Sequence, residues 1–162
     1  MAAVHAAWSY EGPGRAVVLA LKERGRRGCA DPLAAAAAQA VWREGSAADA
    51  LTFVPARRDD VRRRGFDHGA LLAREVGRRL GLEVLPLLSR ARPVDDQVGL
   101  SATARRENLR GAFISAPAPA RIALVDDVVT TGATAAACAA ALRRAGARRV
   151  ELIVACRTPA TY

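Results

Sequence analysis

A strand-like run that ends in two acids and a threonine-glycine turn, residues 122–134, constrains the fold more than any other part of the sequence. It reads Ile-Ala-Leu-Val-Asp-Asp-Val-Val-Thr-Thr-Gly-Ala-Thr. Four consecutive apolar residues are typical of a strand that is buried on both faces. Because residues 135–145 have a helical composition, we predict a strand–loop–helix unit. Its loop would lie at the carboxyl end of a strand, where open α/β sheets bind ligands.

The loop of this unit carries groups that suit a sugar phosphate. N–H groups at the start of a helix have no partner within the helix and favour an anion. Threonine hydroxyls add donors, and Gly132 allows a ligand to approach the backbone closely. Asp126 and Asp127 can take ribose hydroxyls or Mg²⁺. The predicted 5′-phosphate loop consists of Thr130, Thr131, Gly132, Ala133 and Thr134.

Two other interpretations of the same stretch stay open at this point. A buried strand that ends in Asp-Asp can begin a response-regulator receiver domain. Such a domain needs a later phosphoacceptor aspartate, but only 35 residues, none of them Asp, follow Asp127. The other alternative is an ordinary strand-to-helix turn with incidental polar residues.

Length and composition are consistent with one domain outside the membrane. A chain of 162 residues can bury a sizeable core. No apolar run reaches the length of a membrane span, and no signal peptide is evident, so we expect a cytoplasmic protein. The three cysteines, Cys29, Cys138 and Cys156, are widely spaced, which disfavours a zinc site or a disulfide framework.

The charge of the chain is strongly positive. The net charge is +9, and Lys22 is the only lysine among 25 basic residues. Such a balance is compatible with nucleic-acid binding, but the excess of arginine and alanine also indicates a bias across the whole sequence. Arginine is moreover suited to pyrophosphate. Contact with nucleic acid is therefore possible but not favoured.

The order of elements predicts an open, mostly parallel β-sheet flanked by helices. We expect irregular structure over residues 1–11 and 56–67, with a helix at 15–24 and another at 31–43, capped by Asp31. A further helix is expected at 68–80. Strands are expected at 51–54, 83–88, 111–115 and 150–156. The chain would form a single domain over 1–162, with N-terminal helices (1–45) as a hood and an α/β core at 51–156.

The segment 122–134 resembles the phosphoribosyl pyrophosphate (PRPP) motif of type I phosphoribosyltransferases. That resemblance implies their fold and a site that also holds pyrophosphate and Mg²⁺, with Asp126 and Asp127 in catalysis and as metal ligands, directly or through ribose or water. Pro55, Ala56 and Arg57 follow the first core strand and are the candidate pyrophosphate loop. Residues 93–110 are a candidate flexible lid. Its candidate site residues are Gln97, Arg105 and Asn108, and Arg105 would reach the leaving group.

The sequence is similar to the ComF family of phosphoribosyltransferase-like proteins from about Tyr10 onward. The elements that carry this similarity are Leu21-Lys22, Arg64-Gly65-Phe66-Asp67, Gln97 to Leu100, Arg105 to Asn108, Gly111-Ala112-Phe113 and the PRPP motif. Asp67 replaces the usual asparagine and can pair with Arg64 or alter ligand preference. The four-cysteine zinc ribbon of many members is missing from this sequence, so no zinc is expected.

The resemblance implies an enzyme that transfers a phosphoribosyl group from PRPP, with Mg²⁺, to an unidentified small-molecule acceptor. A PRPP- or nucleotide-binding module without turnover, or a basic accessory protein of DNA uptake and competence, are the alternatives. A homodimer is possible. We interpret His68 as a helix-terminal residue, and Asp59-Asp60 and Asp95-Asp96 as solvated charges.

Overall fold

A five-stranded parallel sheet forms the centre of the computed structural model, which describes residues 1–92 and 107–159. The strand order is β1-β7-β6-β2-β3. A separate antiparallel pair joins β4 to β5. The strands are β1 (Val4–Ser9), β2 (Ala50–Phe53), β3 (Glu83–Val84), β4 (Leu88–Arg90), β5 (Phe113–Ser115), β6 (Arg121–Val129) and β7 (Arg149–Arg157).

Helices cover both faces of this sheet. They are α1 (Gly12–Lys22), α2 (Ala30–Glu44), α3 (Arg58–Arg64), α4 (His68–Leu80) and α5 (Ala133–Arg144), with a 3₁₀ turn at Arg27–Cys29. One apolar cluster joins α1, α2 and α4 to one face, and the other joins α5 and the β4–β5 pair to the opposite face. The predicted open, parallel sheet flanked by helices is therefore confirmed.

Strand β6 lies in the middle of the sheet because the residues of its first half, 122–125, are apolar. The side chains of Ile122 to Val125 are fully buried, as expected for a strand covered by helices on both faces. Even-numbered residues of this half join the α5 cluster, and odd-numbered residues join the α1–α2–α4 cluster. Successive side chains of a strand point to opposite faces, so this pattern also determines the face to which each following residue of β6 points.

The sheet has a point at which its connections diverge, between β6 and β2. The chain leaves β6 through α5 to reach β7 on one side, whereas it leaves β2 through α3 and α4 to reach β3 on the other. The register between the two strands ends at Phe53 and Val125. A crevice opens beyond it at the carboxyl ends, which is where doubly wound sheets bind ligands.

Several sequence expectations about elements are wrong. Residues 4–9 form β1 and pair with β7, although residues 1–11 were expected to be irregular. Residues 58–64 form α3 inside the expected polar loop. The expected strand at 83–88 is split between β3 and β4. Asp31 lies in the first turn of α2 and does not cap it, because that helix begins at Ala30.

The described helices also bear on membrane contact. None of them combines the length and the apolar character that a bilayer crossing requires. Cys138 and Cys156 are fully buried, as expected of small core residues.

Candidate functional site

A cavity of about 320 Å³ lies at the carboxyl ends of β2 and β6. It brings together, from separate parts of the chain, the residues that the sequence assigned to the ribose, the phosphate and the pyrophosphate. These are Pro55, Ala56, Arg57, Asp126, Asp127, Thr130, Thr131, Gly132, Ala133 and Thr134. The structure therefore brings the predicted ribose, phosphate and pyrophosphate residues together in one cavity.

The loop after β6 forms one wall of this cavity. Helix α5 begins at Ala133, and Gly132 precedes it with φ 73°, a left-handed conformation that favours glycine. The Thr131 hydroxyl accepts a weak hydrogen bond from the Ala133 N–H at 3.4 Å. Amides at the amino end of a helix and threonine hydroxyls in one turn can bind a phosphate group.

Asp126 and Asp127 point to opposite sides of β6. Asp126 lies on the side of α5 and β4, where its charge acts on Cys138 and Arg90. Asp127 lies on the side of α1 and α4 and is only 2% exposed. Two acids that are adjacent in sequence therefore have different surroundings, because successive side chains of a strand alternate in direction.

The carboxylate of Asp127 is only partly satisfied by hydrogen bonds. Its Oδ1 accepts a hydrogen bond from the Val128 N–H at 2.8 Å. Its Oδ2 is buried and has no hydrogen-bond partner. The Lys22 Nζ and the His68 Nε2 each lie 3.6 Å from Oδ2. Two basic side chains thus flank a carboxylate oxygen that is shielded from water.

These contacts shift the pKa values of the groups in the cavity. Burial, reinforced by the charge of Asp127, raises the pKa of Asp126. The charge of Asp127 raises the pKa of Lys22 against the effect of burial. Burial lowers the pKa of His68, against the attraction of Asp127. At neutral pH the arrangement favours a charged Lys22 beside a neutral His68.

The predicted pyrophosphate loop is held in place by two side chains. Arg90 donates from Nε to the Pro55 carbonyl at 3.1 Å, and its guanidinium lies 5.1 Å from the centre of the Phe113 ring. Asp67 accepts from the Ala56 N–H at 3.0 Å and caps α4 by accepting from the Ala70 N–H at 3.1 Å. Asp67 thus links the loop to α4 through these two hydrogen bonds.

Arg64 instead fixes the end of α1. Its guanidinium is buried and donates to the carbonyl oxygen of Lys22 and, at 3.1 Å, to that of Asp60. Phe66 lies under the Arg27 guanidinium at 4.7 Å. The Arg64-Gly65-Phe66-Asp67 element therefore connects α1, α3 and α4 beside the cavity.

The remaining predicted residues have other positions. Gln97 and Arg105 lie outside the described residues, as do Asp95 and Asp96. Asn108 is described, and its carbonyl accepts a hydrogen bond from Arg92 at 2.7 Å, away from the residues that line the cavity. Asp59 is exposed as expected, whereas Asp60 pairs with Arg63 at 3.0 Å and reaches the cavity wall.

Sequence reasoning missed four residues that line the cavity: Tyr10, Lys22, His68 and Arg90. The interpretation of His68 as merely helix-terminal is incomplete, since it opens α4 and also faces Asp127. For Lys22 a signal was present, because a single lysine among 25 basic residues departs from the bias of the chain. For Tyr10 and Arg90 the sequence offered none.

The donor atoms of the cavity fit Mg²⁺ when a ligand completes the coordination. No group of three or more His, Cys, Asp or Glu side chains within residues 1–92 and 107–159 is arranged to hold a metal by itself. Asp126 lines the cavity, and Asp127 has a buried oxygen without a hydrogen-bond donor. Mg²⁺ prefers carboxylate oxygens together with phosphate oxygens and water, and this set meets that preference.

Curated relatives of the chain are bacterial proteins of DNA utilization and competence. It is 41% identical to DNA utilization protein YhgH of Escherichia coli O157:H7 over 99 residues, which is 59% of this chain and 44% of the relative. It is 36% identical to competence protein F of Haemophilus influenzae over 96 residues, 56% of this chain and 42% of the relative. The resemblance to the ComF family is confirmed.

These relatives are longer than the part that matches. The YhgH protein of Escherichia coli K12 matches over 113 residues at 38% identity, which is 68% of this chain and 50% of the relative. The chain thus spans about half the length of the curated relatives it matches. No model of a known protein family matches the sequence.

Solved structures identify the fold. The chain is similar to the allosteric regulatory enzyme of purine biosynthesis, with a TM-score of 0.53 and 18% identity. It is equally similar to glutamine PRPP amidotransferase from B. subtilis complexed with ADP and GMP, with a TM-score of 0.53 and 20% identity. Each match covers 78% of this chain and 26% of the other. The fold is that of the type I phosphoribosyltransferases.

Proposed function

We propose that the chain binds PRPP with Mg²⁺ and transfers the phosphoribosyl group to a small-molecule acceptor, with release of pyrophosphate. The observation that carries this proposal is the convergence of three kinds of group in one cavity. Residues 130–134 offer phosphate donors, Asp126 and Asp127 offer carboxylates, and Arg57 and Arg90 offer guanidinium groups. A ribose that carries phosphate at one end and pyrophosphate at the other matches that set.

The proposed reaction exchanges one bond at the anomeric carbon. The bond between that carbon and the pyrophosphate oxygen breaks, the acceptor forms the new bond, and the acceptor loses a proton. Residues 130–134 hold the 5′-phosphate, and Asp126 orients the ribose hydroxyls. Arg57 stabilises the charge on the departing pyrophosphate. Positioning of the reactants, more than covalent chemistry by the protein, would supply most of the acceleration.

Mg²⁺ would be held by pyrophosphate oxygens, water and the carboxylate of Asp126. Asp127 lies on the other side of β6 and would act on the ion only through water or the ribose. When bound it neutralises charge on the leaving group. Residues 93–110 remain the proposed lid, with Arg105 as the proposed contact to the leaving group. The acceptor stays unidentified.

The direct test is pyrophosphate release from PRPP and Mg²⁺ with a panel of purines, pyrimidines and ammonia donors. We expect one acceptor to support release, and Asp126→Asn to reduce it at least about 100-fold, as loss of a charged contact in the transition state does. The control is Asp49→Asn, which removes the partner of Arg121 at the far end of β6. Full activity of Asp126→Asn would refute the site, and saturable PRPP binding without release would indicate a binding module.

The names of the relatives favour a second candidate, an accessory role in DNA utilization or competence. The net charge of +9 is compatible with contact to single-stranded DNA. Affinity for a labelled single-stranded oligonucleotide would then fall steeply between 50 and 200 mM salt, roughly 300-fold for six phosphate contacts. Binding that does not respond to salt would exclude this electrostatic mode.

A further inference from the structure

The side chain of Lys22 has a position that the proposed reaction has not used. Lys22 ends α1 and lines the cavity, and its side chain is 42% exposed. Its Nζ lies 3.6 Å from the buried Oδ2 of Asp127. An ammonium has three donors, so a contact with one carboxylate oxygen leaves donors that can face a ligand.

The surroundings of Lys22 hold it in this position from two directions. Arg64, with a side chain only 3% exposed, donates to the Lys22 carbonyl and thereby fixes the last turn of α1. Asp127 attracts the ammonium from β6. A long, flexible side chain normally loses conformational entropy when it binds a ligand, and anchoring at both ends reduces that loss.

Composition indicates that a compact positive charge matters at this position. The other 24 of the 25 lysine and arginine residues are arginine. A guanidinium is planar and larger, whereas an ammonium acts as a point charge for phosphate oxygens. A lysine side chain that is 42% exposed, with its Nζ beside a 2% exposed carboxylate, therefore resembles a prepared contact for an anion more than a solvated surface charge.

We propose that Lys22 binds a phosphate group of the ligand in this cavity, and that Asp127 acts as the residue that positions it. This inference rests on the proposed function, since it adds a contact to the same cavity. It also separates the two acids: Asp126 faces the ligand, whereas Asp127 holds the ammonium. The phosphate can be the 5′-phosphate or the pyrophosphate, and two probes distinguish them.

The test is calorimetric titration with pyrophosphate and, separately, with ribose 5-phosphate, each with Mg²⁺. For Lys22→Met we expect at least about a tenfold loss of affinity for one of them, the usual effect of removing a charged hydrogen bond. Lys22→Arg keeps the positive charge and should retain part of the affinity that Lys22→Met loses. The matched control is Arg24→Met, which removes an exposed positive charge two residues away and should bind like the wild type.

Loss of Lys22 also leaves Asp127 without its counter-charge, so folding is checked by thermal unfolding. The double variant Lys22→Met with Asp127→Asn removes both charges, and it should bind more weakly than Asp127→Asn alone. A folded variant without Lys22 that binds both probes as the wild type does would overturn the inference, and so would a wild type that binds neither. PRPP turnover tests the proposed function separately. If Asp126→Asn loses turnover while Lys22→Met binds both probes as the wild type does, only the role of Lys22 is refuted.

Discussion

We expect Asp126 to lower the stability of the free protein at neutral pH. Burial and the charge of Asp127 raise its pKa above the ordinary value of 3.8. A carboxyl whose pKa is raised by folding favours the folded state when it is protonated. Its stabilising effect is therefore complete below pH 3.8 and is lost as pH rises toward the folded pKa. Such a loss of folding stability is consistent with a carboxylate that is positioned to bind a ligand.

The variant Asp126→Asn should therefore be more stable than the wild type at pH 7 to 8. We expect an increase in Tm of a few degrees, since about 1 kcal/mol shifts Tm by about 2–4 °C in a chain of this size. The difference should shrink as pH falls toward 4, because the wild-type carboxyl then becomes protonated. Thermal unfolding followed by circular dichroism across this pH range measures it.

Asp49→Asn provides a control of opposite sign. The hydrogen-bonded guanidinium of Arg121 lowers the pKa of Asp49. The stability it contributes is present above its unfolded pKa and is lost as pH falls, so its amide variant should be equally or less stable at pH 7. An Asp126→Asn protein that melts below the wild type at neutral pH would contradict our account of the cavity.

Individual residues of the site were predictable only where a motif carried them. The acids, the phosphate loop and Arg57 follow strands directly, so their position could be read from the chain. Lys22, His68 and Tyr10 reach the cavity through the packing of α1, α4 and the chain after β1. Such convergence depends on tertiary structure. Lys22 stands out in the sequence as the single lysine, but that signal does not show that it reaches the cavity.

Among the elements, α4 packs closely against β3 and the residue that precedes it. A Cβ built on Gly77 would lie 2.7 Å from the Leu82 carbonyl oxygen and 2.8 Å from the Val84 Cγ2. The carbonyl belongs to the backbone and cannot rotate away. Any side chain at position 77 would therefore push α4 away from β3. His68 begins the same helix, so it would move as well.

We expect Gly77→Ala to destabilise the protein by about 1–3 kcal/mol, the usual cost of an overpacked core, even though alanine favours a helix. Gly28→Ala is the matched control, because its Cβ would meet nothing within 4 Å and its φ is not positive. Urea unfolding of both variants gives the comparison. Equal stability of the two would show that α4 does not pack as closely as described.

The elements that sequence analysis found differ from those it missed in their local signals. Helix α4 has an apolar face and the cap Asp67, and both were recognised. Six of the seven residues of helix α3 are charged, so it has no apolar periodicity. Acids in its first turn and arginines in its last nevertheless match the helix dipole. Strand β1 consists of few strand-favouring residues, and its pairing with β7 determines its conformation.

At the scale of the whole molecule, β1 completes one edge of the sheet and connects that edge to α2. It pairs with β7 from Val4 to Ser9. Its His5 is buried and hydrogen-bonds to Glu44 at 2.7 Å, on α2, and to Glu151 at 3.4 Å, on β7. The strand thus joins the N-terminal helices to the core. The division into a hood over 1–45 and a core over 51–156 stays a prediction, and β1 shows that the sheet extends across it.

Removal of residues 1–9 should therefore destabilise the entire chain. It exposes the edge of β7, whose residues from Val150 to Cys156 are almost completely buried, and unpaired apolar edges promote association. We expect a Tm at least about 5 °C lower, as a loss of 2 kcal/mol or more implies, and aggregation in size-exclusion chromatography. An unchanged Tm and a monodisperse peak would indicate that this segment does not belong to the sheet.

The opposite directions of Asp126 and Asp127 have a consequence for evolutionary divergence. A motif search scores the two acids as one unit, yet each depends on a different layer of the protein, Asp127 on Lys22 and His68, and Asp126 on the side of Arg90. A relative that evolves a different reaction can therefore lose one of the two acids without a direct effect on the residues that contact the other acid. Among divergent relatives, the substitution of Asp127 should accompany changes at Lys22, whereas the substitution of Asp126 should not.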